Sequence, residues 1–191
     1  MKKPDWKIWI KDKKETEIWL KRYFKKEILK KSVDDSSLYL RRAEHNLSFA
    51  GWLIEKHNKE IPEIFGKENF YDWVINIYYY AIYHASLALI SREKYESKSH
   101  LATLSFLIYY HYHLQNSLNK RDIDLIVSSL NKEDIETLGF SKELREKASY
   151  NVHESFEREL VINTRKQAID FLNKIKSILE EYKLRNKKRG K

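Results

Sequence analysis

The chain has no cysteine, only two prolines and only four glycines in 191 residues. The missing cysteine excludes a disulfide scaffold, a thiolate metal site and a cysteine nucleophile. So few glycines and prolines cannot supply the turns of a β-sandwich or barrel, which needs breakers at every strand end. They also leave no G-x-G-x-x-G or Walker loop to cradle a phosphate, and no G-x-S-x-G element. No run of about eighteen consecutive apolar residues is present, so no membrane-crossing helix is expected. The start, Met1-Lys2-Lys3-Pro4-Asp5, runs into charge and not into an apolar signal core, so a cytoplasmic location is expected.

What is present is 42% hydrophobic and 14% aromatic, enough to bury the core of one domain. The net charge of +9 is unevenly spread. Residues 1–31 carry twelve Lys/Arg against five Asp/Glu, and residues 183–191 carry six cations and no acid. The stretch between them has nineteen basic and twenty-three acidic residues. A mildly acidic body thus lies between two basic ends, and affinity for polyanions is expected mainly at those ends.

The body reads as helices. Leu40, Ala43, Leu47, Ala50 and Ile54 make one apolar stripe on a helix over about 37–58, with Asp34, Asp35, Ser36 and Ser37 as candidate caps. A second helix spans about 70–92, capped by Asn69, with Asp72 placed as in a capping box. Its stripe is Tyr71, Val74, Tyr78, Ala81, Ala85 and Ala88. A third follows Ser97 as its cap and runs through Leu101, Leu104 and Ile108 to about Leu114. Asp122 offers a cap for a short helix over 123–130, and Ser141 for another over 142–149, after a stop at Gly139. A last long helix covers about 155–184 with Val161, Ala168, Leu172, Ile175, Leu179 and Tyr182 in heptad spacing. At the N-terminus Trp6, Ile8 and Ile10 alternate as in a strand, while Leu20, Phe24 and Ile28 repeat as in a helix. We read a helix over about 12–31 with Trp6 and Trp9 packed at its start. The tail Lys183-Leu184-Arg185-Asn186-Lys187-Lys188-Arg189-Gly190-Lys191 is expected to fray.

One stretch carries a family likeness. Tyr71-Asp72-Trp73-Val74-Ile75-Asn76-Ile77-Tyr78-Tyr79-Tyr80-Ala81-Ile82-Tyr83-His84-Ala85, followed by Ser97-Lys98-Ser99-His100, resembles the HEPN domain (higher eukaryotes and prokaryotes nucleotide-binding). Arg42-Ala43-Glu44-His45-Asn46-Leu47 suits that family's first helix. Arg145-Glu146-Lys147-Ala148-Ser149-Tyr150 is similar to its R-x-x-A-D-Y segment, with Ser149 where Asp is common. The resemblance covers roughly residues 36–182, and residues 1–31 lie outside it. It implies an all-α, up-and-down bundle of four to five helices over 36–182, to which the spacing and charge above add a basic N-terminal helical extension over 1–35 and a flexible basic tail over 183–191. It implies a homodimer that engages RNA or nucleotides, often as a metal-independent ribonuclease of a toxin–antitoxin or defence system. Other members are partners of a minimal nucleotidyltransferase. Active members carry Arg-x4–6-His. Here seven residues separate Arg145 from His153, and seven separate Arg92 from His100, while Arg41 and Arg42 are too close to His45. The nuclease reading therefore competes with that of a catalytically silent, dimerising module that binds a protein partner.

Arg145 and His153 are the candidate catalytic pair. Arg offers a fixed fork of donors for a phosphate, and His can take or give a proton. The bland alternative is a surface Arg and a capping His. Asn76, Tyr80 and His84, at i, i+4 and i+8, share one helix face. Tyr80, His84 and Tyr150 are candidate nucleotide or RNA contacts by stacking and hydrogen bonding, against the alternative of core packing with satisfied polar tips. Lys98 and His100 start a helix and could meet a phosphate, or simply cap it. Lys187, Lys188 and Arg189 of the tail are candidate backbone contacts. His111 and His113 point apart on a helix and make a poor metal pair. No metal or other cofactor is expected. The twelve N-terminal cations, interleaved with Trp6, Trp9, Trp19, Tyr23 and Phe24, either grip nucleic acid or form the solvated face of a helix whose aromatics pack inward.

Overall fold

The computed structural model describes residues 3–130 and 158–189, with side chains to Leu184 in the last helix. Helices α1 (Trp6–Lys11), α2 (Lys13–Lys25), α3 (Ser36–Lys56), α4 (Glu60–Phe65), α5 (Tyr71–Arg92), α6 (His100–Phe106), α7 (Lys120–Ser128) and α8 (Arg158–Arg189) form an all-α bundle. Two short strands, β1 (Leu29–Lys31) and β2 (Tyr95–Ser97), pair antiparallel, with Lys30 opposite Glu96. The short helices expected after Gly139 and Ser141, and the residues Arg145, Tyr150 and His153, lie outside the described residues.

The bundle is built on α5, which packs most extensively against α3 and then α8. Its buried positions Val74, Ile75, Tyr78, Ala81, Ile82, Ala85, Ala88, Leu89 and Ile90 go almost fully around the helix, as the sequence suggests for a central element. By length and composition α5 could cross a membrane, which the search for an unbroken apolar run had excluded; here most of that stretch is buried by its neighbours. α3 runs antiparallel to α5. Arg92 pairs with Asp34 at one end (2.5 Å), and His57 stacks on Tyr71 at the other (4.5 Å). His57 also ties the connection, because Nδ1 donates to the Leu53 carbonyl (2.7 Å) and Nε2 accepts from the Phe70 N–H (3.0 Å). α8 runs alongside, held by Arg158 to Asn58, Lys176 to Glu44 and Tyr182 to Glu93.

The N-terminal segment departs from expectation in its local structure. Trp6, Ile8 and Ile10 lie on a helix and not a strand. Asp5 caps α1 by accepting from Lys7 N, and extended Asp12 ends α1 and starts α2 by accepting from Lys14 N and Glu15 N. The helix expected over 12–31 stops at Lys25. Glu27 turns the chain at φ 54°, and Leu29–Lys31 then join β2, a long-range pairing that no local pattern encodes. Trp6, Trp9, Trp19, Leu20, Tyr23 and Leu29 share one buried cluster with α5, α6 and α8. Of the two readings of the N-terminal aromatics, the inward-packed one holds.

Other boundaries shift by a cap. Ser99, not Ser97, caps α6 by accepting from Ala102 N. Asn119, not Asp122, caps α7, and Asp122 completes a capping box by accepting from Asn119 N. α6 widens directly into a π-helix over Leu107–Leu114, closed by Gln115 N donating to Tyr110 O, five residues back (2.9 Å). α8 continues to Arg189, so the segment expected to fray is helical to that point.

Candidate functional site

The α3 pattern that buries Ala43, Ala50 and Ile54 leaves Arg41, Arg42 and His45 exposed beside the α5 contact. On α5 the run of buried alanines turns His84 toward the same edge. The result is an open cleft of about 420 Å³ lined by Arg41, Arg42, His45, Asn46 and His84. Asn46 Nδ2 lies 3.1 Å from His84 Nδ1. An amide nitrogen can only donate, so Nδ1 accepts and Nε2 carries the imidazole proton. Burial first, and the neighbouring Arg42 charge second, push the His84 pKa below its usual value. His84 is thus a neutral donor beside two guanidinium groups. Among the described residues neither Arg41 nor Arg42 has a carboxylate partner. Each keeps its donor fork for an outside anion.

Tyr80 continues this edge and stacks on His84 at 6.4 Å. Tyr83 bridges His84 (6.3 Å) to His100 (4.4 Å), so Tyr80, His84 and His100 belong to one neighbourhood. Lys98 is exposed at the end of β2, where its N–H extends the sheet by donating to Ile28 O (2.9 Å). Nothing ties its side chain to the cleft. Lys187, Lys188 and Arg189 follow on α8, past the point where Tyr182 bonds Glu93, and their side chains lie outside the described residues. Arg145, His153 and Tyr150 lie outside the described residues. Tyr78 is fully buried, with its hydroxyl pushed up to about 12 by desolvation, and cannot meet a ligand.

His111 and His113 turn to different partners. His111 Nδ1 meets Ser117 Oγ (3.0 Å), and His113 Nε2 donates to Trp9 O (2.8 Å). Among the described residues no group of three His, Asp or Glu side chains could hold a metal. A second cleft of about 350 Å³ lies between residues 115–117 and α8. Its one cation, Lys174, is already paired to Asp122 at 2.5 Å, so it offers no free charge to an anion.

The sequence reading set Arg41, Arg42 and His45 aside because their spacing failed the Arg-x4–6-His pattern. No motif marks the exposed aromatics further along the same helices, Phe49 and Trp52 on α3 and Trp73 on α5. The signal was available. Positions 42, 45, 49 and 52 step by three and four along the face beside the buried stripe, where an amphipathic helix normally carries small polar residues. No protein-family model matches this chain, and neither does any curated protein.

Proposed function

We propose that this chain is a HEPN-type protein that engages RNA or nucleotides through the α3/α5 cleft. The observation that carries the reading is the meeting of two guanidinium groups without a carboxylate partner among the described residues, two imidazoles and an amide in one open groove. Arginine forks match phosphate oxygens, and a neutral imidazole N–H adds a donor without a competing charge. The order of elements supports the family part. The stretch Tyr78–Ala85 lies on the central helix, Lys98-Ser99-His100 opens the next one, and Arg42–Leu47 lies on α3, the long helix that packs most extensively against α5.

The test is binding of a fluorescein-labelled 12-nucleotide RNA by anisotropy. Replacing Arg41 and Arg42 together by Ala should weaken binding about tenfold or more, as two charge-assisted contacts would. Unchanged affinity would remove the cleft from the reading. The ribonuclease form is tested in EDTA with structured RNA. It predicts cleavage by the native chain and its loss in His153→Ala, the resemblance's nominee; cleavage by neither protein would leave a binding module.

A second reading, the silent module that dimerises and binds a partner such as a nucleotidyltransferase, draws on α4. That helix exposes Ile64 (71%) and Phe65 (50%). It predicts a concentration-dependent dimer in sedimentation that Ile64→Lys dissociates.

A further inference from the structure

Beyond the basic groove, the α3/α5 face carries a track of exposed aromatic rings. Phe49 (47% exposed), Trp52 (50%), Trp73 (62%) and Tyr80 (49%) leave large rings in water, where an isolated bundle gains nothing from them. Their placement follows from the helices. On α3, His45, Phe49 and Trp52 are spaced by four and three; on α5, Trp73, Tyr80 and His84 are spaced by seven and four, so each set shares one face. The helices are antiparallel, with His84 against Asn46, so Tyr80 lies level with Phe49. The helix faces that carry the groove residues His45 and His84 thus also carry the rings. From Arg42 to Trp52 is ten residues, about 15 Å along the helix.

The cations of this face lie at its two ends. Between residues 41 and 52, α3 has one acid, Glu44, and it is paired with Lys176 at 2.6 Å on the side facing α8. Among the described residues Arg41 and Arg42 have no carboxylate partner at one end; at the other, Lys56 lies 5.5 Å over the Trp52 ring and is paired with Glu60. Phe49 and Trp52 are near-parallel, 15° apart with centroids at 5.8 Å.

We propose that this face binds an unpaired RNA strand, with bases stacked on Phe49, Trp52, Trp73 and Tyr80 and phosphates held by Arg41 and Arg42. Exposed flat rings beside a cationic groove suit a strand whose bases are free to stack and whose phosphates stay charged. A duplex hides its base faces and can use only the cations. A second copy on this face across a two-fold axis would bring four uncompensated guanidinium groups into one contact. The inference rests on the RNA reading above and adds the ligand's single-stranded form and the residues that select it.

The experiment uses the full chain, labelled 12-nucleotide oligoadenylate and oligouridylate, and a duplex of equal length. The variants are Phe49→Ala/Trp52→Ala, Trp73→Ala and Arg41→Ala/Arg42→Ala, each checked by thermal unfolding. The aromatic double variant should weaken single-strand binding by about tenfold or more, leaving duplex binding and the salt slope unchanged. Trp73→Ala should weaken single-strand binding alone. The arginine variant should weaken both ligands and reduce the single-strand salt slope by about 1.4. Single-strand affinity that survives loss of Phe49 and Trp52, or falls equally with duplex affinity, overturns the inference while the RNA reading stands. Dissociation of a dimer by the aromatic variant with unchanged RNA affinity also overturns it and assigns the face to a second copy. Absence of RNA binding by the native chain sinks both this inference and the RNA reading.

Discussion

The N-terminal layer and the α3/α5 face use the same residue types for opposite ends. Both mix tryptophan with lysine and arginine. In the N-terminal layer Trp6, Trp9 and Trp19 are buried, while Lys11, Lys14 and Lys25 point to water. Rings there are core, and cations are the solvated side of an amphipathic helix. On the α3/α5 face Phe49, Trp52, Trp73 and Tyr80 stay exposed beside cations that line a groove. Formal charge favours the first region, yet it is the second that we propose as the binding surface. What separates them is whether charge and ring present themselves to the same ligand.

The largest effect that separates the two regions is on stability. Trp9 is fully buried, meets Trp19 at 6.1 Å and belongs to the common core. Trp9→Ala should cost about 3–5 kcal/mol, the range for deleting a large buried aromatic. Trp52→Ala should move stability by no more than about 0.5 kcal/mol. Urea denaturation of both variants checks this. A Trp52→Ala loss near that of Trp9→Ala would show that the exposed ring is structural, and would collapse the distinction.

The imidazoles extend the contrast. His111, on the π-helix against the N-terminal core, is fully buried, with Nδ1 at Ser117 Oγ and no partner for Nε2 among the described residues. Desolvation lowers its pKa to about 4, only partly offset by Glu93. An unfolded chain regains the ordinary value, near 6.5. Between those values the unfolded state takes a proton that the folded state refuses. Stability is therefore intact above about pH 6.5 and falls as pH drops toward 4, in total by about 3 kcal/mol from this group. His84 shifts in the same direction, but it is half-exposed in the cleft. His111→Gln should flatten the acid limb of a stability–pH curve far more than His84→Gln. Parallel curves for His111→Gln and the native chain would refute the assignment.

Much of this fold can be read from spacing. Ala43, Ala50 and Ile54 on α3, and Val74, Tyr78, Ala81, Ala85 and Ala88 on α5, are buried where the apolar period places them. Two features could not be read this way. The β1–β2 pair joins residues 29–31 to residues 95–97, and three-residue strands leave too short a pattern for either to be seen alone. The stop at Lys25 shortens a helix whose Leu20, Phe24 and Ile28 repeat runs on, because Glu27 turns the chain at φ 54° into β1. The candidate site was half legible. Tyr80 and His84 stood out on a patterned helix, whereas Arg41, Arg42 and His45 were measured against a fixed linear spacing. The cleft joins them to His84 across two helices, and no linear motif records that contact.

The smallest effect concerns single hydroxyls. Thr16 Oγ1 is buried, donates to Trp9 O (2.8 Å) and also lies 3.0 Å from Asp12 O; His113 donates to the same Trp9 carbonyl. Two side chains thus close the end of α1 onto α2 and the π-helix. Thr16→Val keeps the shape and removes the donor, which should cost about 1 kcal/mol. His113 still satisfies the Trp9 carbonyl, and this keeps the loss from growing. Ser48 is exposed on α3, in the sequence between His45 and Phe49, and Ser48→Ala should stay within about 0.5 kcal/mol. Chemical denaturation resolves the difference. Equal midpoints for the two variants would mean that the Thr16 bond adds nothing to the N-terminal layer, whose cohesion would then rest on its buried rings alone.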